Sequence, residues 1–239
     1  MAERTALRRP RALVVDAGGT LLRQEAFDLE GGVRVFLEGT EVPGRPAGPD
    51  EVEAWISDLE SVVEATRLLG DAEFSLAEWL RAHLPVSPTD VAVAELAIWL
   101  AGVALHPVEG ARDALEWAHR RGLTLGVVSN LVFSGRTLEF ELRRHGFGMP
   151  LQTVLSSADC GRRKPSEAPF CTALARLGVS PEEAWFVGDS WECDVVGASG
   201  VGMTALWLSC EEAPGPDTPH HRVGSWKDVV ALLEAAVGP

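Results

Sequence analysis

No run of about 18 consecutive apolar residues occurs anywhere in the chain, so a membrane-spanning helix is not expected. The amino-terminal stretch MAERTALRRPRALVVD carries charges but no apolar core of signal-peptide length ahead of its first strand-like run. CxxC pairs are also missing. Cys160, Cys171, Cys193 and Cys210 lie scattered with no histidine at zinc-ligand spacing, and they read as buried or incidental thiols of a reducing compartment. Basic residues are scarce: 21 Lys and Arg face 35 Asp and Glu, a formal charge of −14, which opposes attraction to nucleic-acid backbones or anionic membranes. The expectation is a soluble cytoplasmic protein with no nucleic-acid and no membrane partner. Internal repeats and low-complexity tracts are absent as well.

What is present is a chain of 239 residues, enough for one large domain or a core domain with a smaller insert. From Gly110 onward, helical and strand patterns alternate. VEGARDALEWAHRRG has apolar residues at helical spacing and ends on Gly122; LTLGVVSN then reads as a buried strand. RTLEFELRRHG, SEAPFCTALARLG, WECDVVGASGVG and SWKDVVALLEAA continue as helices, with LQTVLSS, EAWFVGDS and MTALWLS as strands between them. Together with a first strand over Arg11 to Asp16, this predicts an α/β fold with a doubly wound parallel sheet, whose ligands bind beyond the carboxyl ends of the strands.

Between Leu22 and Leu105 the pattern changes. EGTEVPGRPAGPDE is a Gly/Pro-rich loop, and VEAWISDLESVVEATRLLG, FSLAEWLRAHL and PTDVAVAELAIWLAGVAL read as helices with no strand between them. The expected division is a core over residues 1–21 and 106–239 and a helical insert over 22–105. Trp55, Trp79 and Trp99 are expected to fill the insert's core or its interface. EEAPGPDTPHH reads as a surface loop, with His220 and His221 solvated rather than metal-binding.

Four polar clusters fall where predicted strands end: Asp16-Ala17-Gly18-Gly19-Thr20, Ser129-Asn130, Lys164-Pro165, and Gly188-Asp189-Ser190 with Asp194 beyond it. In a parallel sheet such ends share one edge. Carboxylates can hold a hard cation such as Mg2+, a lysine and a hydroxyl can hold phosphoryl oxygens, and one carboxylate can act as nucleophile through an aspartyl-phosphate. The turn of Gly18, Gly19 and Thr20, with Asn130, is expected to face the bound anion. The DAGGT turn on its own also fits a sugar-kinase reading, in which glycines cradle ATP phosphates. Against that reading stand LLRQEAF, expected to enter a helical insert, and the use it leaves unexplained for Lys164 and GDSWECD.

Through VVDAGGTL, VVSN, RRKP and FVGDSWECD the chain resembles the haloacid dehalogenase superfamily, of the type with a helical cap after the first strand. The resemblance implies a Rossmann-like core and a cap, and an enzyme acting on a small molecule. Asp16 matches the family's nucleophile, Ser129 its phosphate-binding hydroxyl, and Lys164 its charge-stabilising lysine. Thr20 matches the turn threonine. Asp189 and Asp194 match the metal-holding motif, giving Mg2+ the ligands Asp16, the Gly18 carbonyl and Asp189, with Asp194 as a further ligand or a partner through water.

One position departs from the resemblance: phosphatases of the family usually carry a second aspartate where this chain has Gly18, and glycine cannot do general acid or base work. Members lacking that aspartate include dehalogenases, which work without metal, and phosphonoacetaldehyde hydrolases. The latter need a cap lysine, and none lies between Leu22 and Leu105; Lys164 and Lys227 are the chain's two lysines. A magnesium-dependent phosphatase is the favoured reading. A dehalogenase-like hydrolase and a binding module of the same fold are the alternatives. Glu25, Asp28 and Glu30 are near enough in sequence to be considered as substitute acids, although they read more simply as solvated carboxylates. Cys193, inside the fourth cluster, has no adjacent base that would make it reactive.

Overall fold

A computed structural model of the chain describes residues 8–39, 43, 44, 46, 48–85, 87–215 and 218–238. Parts of the Gly/Pro-rich loop, the first seven residues and residues 216 and 217 of the later loop lie outside these. Six strands form one sheet in the order β5-β4-β1-β6-β7-β8: β5 (Thr153–Ser156), β4 (Thr124–Ser129), β1 (Ala12–Val15), β6 (Ala184–Gly188), β7 (Thr204–Leu208) and β8 (His221–Val223). Every neighbouring pair in it is parallel. β1 lies at the centre, with Val15 in register with Val127 on one side and Val187 on the other. All four of its residues are buried, as a strand covered on both faces requires.

Helices pack on both faces of this sheet. Ala111, Ala114, Leu115 and Ala118 of α5 (Ala111–Arg120) join Trp226, Val229 and Leu233 of α10 (Trp226–Val237) against one face. Phe170, Ala173 and Leu174 of α8 (Glu167–Leu177) pack with Phe186 and Val128 on the other. The chain alternates strand and helix as its apolar periods predict.

The segment between β1 and β4 corrects the reading of Leu22 to Leu105 as wholly helical. Leu22–Phe27 is a strand, β2, paired antiparallel with β3 (Val103–Pro107), Leu22 opposite Pro107 and Phe27 opposite Val103. Only Leu22 of β2 is buried, so a solvated two-stranded ribbon leaves no alternating apolar signal to read. In PTDVAVAELAIWLAGVAL the apolar run passes from helix into strand without a break in composition, and the chain changes conformation after Gly102. A Cβ at Gly102 would lie 2.1 Å from the Asp28 backbone oxygen. LLRQEAF thus continues as a strand and does not lead straight into a helical insert as expected.

From the ribbon rise α1 (Leu29–Gly39), α2 (Pro49–Arg67), α3 (Leu76–His83) and α4 (Pro88–Gly102). Ser75 accepts from the Glu78 N–H to start α3, and Ser87 and Asp90 form a reciprocal capping box at α4 behind Pro88. Val33, Phe36, Ile56, Leu80, Ile98 and Trp99 form a second core cluster, into which the core loop after β4 inserts Phe133. Trp79 and Trp99 are buried and Trp55 packs against the same cluster. Near the carboxyl end, His221 opens β8 rather than belonging to a loop, and His220 Nδ1 donates to the Thr218 oxygen, 2.8 Å away. The predicted helix WECDVVGASGVG is a π-helical turn, Trp191–Val196, followed by α9 (Gly197–Gly200).

Candidate active site

Asp16 directly follows β1, and its N–H still donates to the Val187 oxygen at 2.9 Å, extending the ladder into the turn. The turn closes through Leu21 N–H to Ala17 O at 2.9 Å and Gly19 N–H to Leu22 O at 2.8 Å. Gly19 has φ of 78°, and a Cβ there would lie 2.1 Å from Asp189 Oδ2, so glycine is required on both counts. Gly18 differs: its φ is not positive, and a Cβ would meet nothing within 4 Å.

Lys164 arrives from the loop after α7 (Ser157–Cys160) and donates all three ammonium hydrogens: to Asp16 Oδ1 at 2.6 Å, to Asp194 Oδ1 at 2.6 Å and to the Val128 oxygen at 2.9 Å. Asn130 holds this loop in place. Its Oδ1 accepts from Lys164 N–H at 2.7 Å and its Nδ2 donates to Lys164 O at 3.0 Å. Asp194 Oδ2 accepts from Ser190 N–H at 3.0 Å. Asp189 is exposed, with the Thr20 hydroxyl 3.4 Å from its Oδ1, and Trp226 Nε1 donates to Thr20 O at 3.0 Å.

Oxygens of Asp16, Asp189 and Asp194 lie within 4.8 Å of one another. Three carboxylates thus share one ammonium, and the electrostatics show the imbalance. Burial pushes the Asp16 carboxyl up to about 7; Lys164 opposes the rise, while Asp194 and Asp189 add to it. Asp189, solvent-accessible as a residue but partly desolvated at its carboxylate, is raised by that desolvation and by Asp194. Burial disfavours the Lys164 ammonium, but Asp16 and Asp194 outweigh it and hold its pKa above the ordinary value. A hard divalent cation fits this all-oxygen donor set, because it supplies the positive charge the cluster lacks. Among the described residues, His220 and His221 belong to no comparable group.

A cavity of about 280 Å³ opens beside the cluster. Gly18, Ser129 and Asn130 line it together with Phe27 and Leu105 of the ribbon and Trp99 of α4; Gln24, Arg67 and Arg163 complete the polar wall. The Ser129 side chain has no hydrogen-bond partner among the described residues. Of the sequence-predicted residues, then, Asp16, Lys164, Asp189 and Asp194 converge, and Gly18, Ser129 and Asn130 face the cavity. Gly19 and Thr20 instead support Asp189. Glu25 pairs with His106 on the ribbon, Asp28 accepts from Gly31 N–H, and Glu30 is raised by burial and by Glu60; none of the three lines the cavity.

The sequence reading missed several residues of the site and its frame. Arg163 stood in plain sight within RRKP, but Arg67 and Phe27 carry no local signature. Glu95 of α4 is also unmarked in the sequence: it accepts from Ser134 N–H and Ser134 Oγ, each at 2.5 Å, and from Thr137 Oγ1 at 3.2 Å at the start of α6 (Gly135–Arg144). Trp99 Nε1 donates to Glu141 at 2.9 Å beside it.

Known proteins resemble this chain in sequence and in fold. A family model described as haloacid dehalogenase-like hydrolase matches residues 10–202. A ribulose-1,5-bisphosphate 5-phosphatase of Halopiger xanaduensis is 32% identical over 112 residues, 46% of each chain, so the chain spans about half the length of that relative. A phosphoglycolate phosphatase of Pseudomonas aeruginosa is 27% identical over 87% of this chain and 76% of its own. Among solved structures, a HAD phosphatase from Thermococcus onnurineus superposes with a TM-score of 0.57 at 22% identity, over 95% of this chain and all of the other, which is a likeness of fold.

Proposed function

The chain belongs to the haloacid dehalogenase-like hydrolase family, and from that premise we propose that it is a magnesium-dependent phosphatase of a small phosphorylated metabolite, acting without a resident general acid. Asp16 is the nucleophile. Its carboxylate oxygen bonds to phosphorus as the bond to the leaving oxygen breaks, giving an aspartyl-phosphate; water then attacks phosphorus, releasing phosphate and restoring the carboxylate. Lys164, locked between Asp16 and Asp194, opposes the rise of the nucleophile's pKa and aims it. Ser129 donates its hydroxyl to a phosphoryl oxygen. Asp16, the Gly18 carbonyl and Asp189 would hold the cation, with Asp194 as a further ligand or a partner through water, and the bound ion would neutralise phosphoryl charge.

The observation that carries the acid-deficient reading is the cavity's lining. Gly18 lines the cavity at the position where the family resemblance implies an acid, and no aspartate, glutamate or histidine of the described residues lines that cavity; Asp28 and Glu30 line an adjoining one that shares Phe27, Arg67 and Val132. General acid help is worth about 10² to 10⁴ in rate. Substrates whose leaving group is stable as an anion, such as acyl or aryl phosphates, lose least without it. The names of similar relatives, which refer to ribulose bisphosphate and phosphoglycolate, support a small phosphorylated metabolite as the substrate class. The exposed Asp189 beside Asp16 favours a metal-assisted reaction over metal-free dehalogenation.

Steady-state hydrolysis of 4-nitrophenyl phosphate tests this. It should require magnesium and disappear in Asp16→Asn. Turnover of a 2-haloacid without magnesium would point to dehalogenation instead, and no turnover of any phosphate ester, acyl phosphate or haloacid would point to a binding module.

A further inference from the structure

Arg163 precedes Lys164 in the chain and shares the cavity wall with Ser129 and Asn130. Its guanidinium is held from one end only. Nη1 donates to both oxygens of Glu73, at 3.0 and 2.9 Å. Glu73 is 3% exposed and also accepts from Ser157 Oγ at 2.5 Å, and Ser157 Oγ accepts from Leu131 N–H at 2.8 Å. The backbone fixes the same region: Arg163 N–H donates to Asp71 O at 2.7 Å, and Glu73 N–H to Gly161 O at 3.1 Å.

Nε and Nη2 of Arg163 have no partner among the described residues, and the side chain is 39% exposed. Their N–H bonds share one edge of the planar guanidinium, the edge that pairs with a carboxylate or phosphate through two parallel hydrogen bonds. The same cavity is lined by Arg67 at the end of α2, whose ion pair with Glu64 is long, 3.8 Å, and solvated on both sides. The rest of the wall is largely apolar, and no acidic side chain of the described residues lines it. A ligand whose only charge is the phosphoryl group would leave the oriented guanidinium edge of Arg163 unpaired and Arg67 with only its long, solvated ion pair to Glu64.

We propose that the substrate carries a second anionic group, a carboxylate or a second phosphoryl group, and that Arg163 binds it with Arg67 while Glu73 positions Arg163. The phosphatase reading above supplies the place of the first anion, and the inference rests on it to that extent. Arg163 is a specificity residue and Glu73 a positioning residue; neither takes part in bond making.

Two aryl phosphates of similar leaving-group acidity test this: 4-(carboxymethyl)phenyl phosphate and its primary amide. The kcat/KM ratio should favour the carboxylate by about tenfold or more, mostly through KM, as one charged bidentate contact would give. That ratio should collapse in Arg163→Met, shrink in Arg67→Met and Glu73→Gln, and survive in part in Arg163→Lys, which keeps the charge without the edge. A ratio near one in the natural protein, or equal losses on both substrates in Arg163→Met, would overturn the proposal, the latter placing Arg163 on the transferred phosphoryl group. Calorimetry with the matching non-hydrolysable benzylphosphonates separates the two readings. Tighter binding of the carboxylated phosphonate, dependent on Arg163 but without hydrolysis of either ester, would support the second-anion site and count against the phosphatase. Equal affinity alongside active hydrolysis would do the reverse.

Discussion

Gly18→Asp restores a carboxylate at the one place in the turn where the backbone accepts it. The position has ordinary φ, and a new Cβ would meet no atom within 4 Å, in contrast to Gly19, where φ is 78° and Asp189 occupies the space. Replacing glycine at a compatible position also removes unfolded-state entropy, worth about 0.4–1 kcal/mol for an alanine-like change. Opposing this, the new charge joins Asp16, Asp189 and Asp194; a pair of like charges 4 Å apart costs about 4 kcal/mol at an effective dielectric of 20. The new carboxyl is therefore expected to stay protonated more readily than an isolated aspartate, which suits an acid. Its gain should appear where the leaving oxygen needs a proton. Alkyl phosphate hydrolysis should rise by about 10² or more, toward the full 10² to 10⁴ of general acid catalysis, while aryl phosphate turnover changes little. Steady-state kinetics with both ester classes at saturating magnesium, using Gly18→Asn as the uncharged control, measures this. An unchanged alkyl rate in a folded, aryl-active Gly18→Asp protein would refute the reasoning.

Calorimetry should show magnesium binding weakened at least about tenfold in Asp189→Asn, in keeping with loss of a charged oxygen ligand. Affinity for the ion should rise with pH up to about 7 and then level off, because below the Asp16 pKa of about 7 a proton occupies the carboxylate the cation needs; a pH-independent affinity across this range would count against Asp16 as a ligand. Glu95→Ala should destabilise the protein by about 2–4 kcal/mol, since the Ser134 N–H and hydroxyl and the Thr137 hydroxyl lose their buried acceptor. Chemical denaturation would measure it, and a change within 0.5 kcal/mol, roughly that of an ordinary surface substitution, would mean that contact contributes little.

The parallel core was legible because its signals are local and strong: β1 and β6 are unbroken apolar runs, and each polar cluster stands where such a run ends. Asp16, Lys164 and Asp189 could be grouped from sequence because a parallel sheet brings its strand ends to one edge. The helical insertion was legible only in part. α1 contains Gly31 and Gly32, which lower helix propensity, yet Gly32 allows a close approach to α4: a Cβ there would lie 2.6 Å from the Ile98 oxygen. The ribbon was hidden by its solvation. Glu73 and Glu95 were hidden for another reason. Each acts by accepting hydrogen bonds from residues 39 to 90 positions away, and nothing in a single sequence marks a carboxylate whose partners are brought to it by tertiary packing.

Thr20 and Asn130 show a subtler limit. The sequence placed both beside the anion, and in the structure Thr20 sits under Asp189 while Asn130 clasps the backbone of Lys164 as well as facing the cavity. A motif indicates that a polar group belongs to the site, but not whether it meets the ligand or holds another group that does.

The most direct test of an aspartyl nucleophile working without a resident acid is the dependence of kcat/KM on leaving-group pKa across a series of aryl and alkyl phosphates, measured on the natural protein with magnesium. With nothing on the wall to protonate the departing oxygen, kcat/KM should fall steeply as that pKa rises, and alkyl esters should be hydrolysed far more slowly than aryl esters. A shallow dependence, with alkyl and aryl esters turned over at comparable rates, would mean that another group delivers the proton, and would contradict the account.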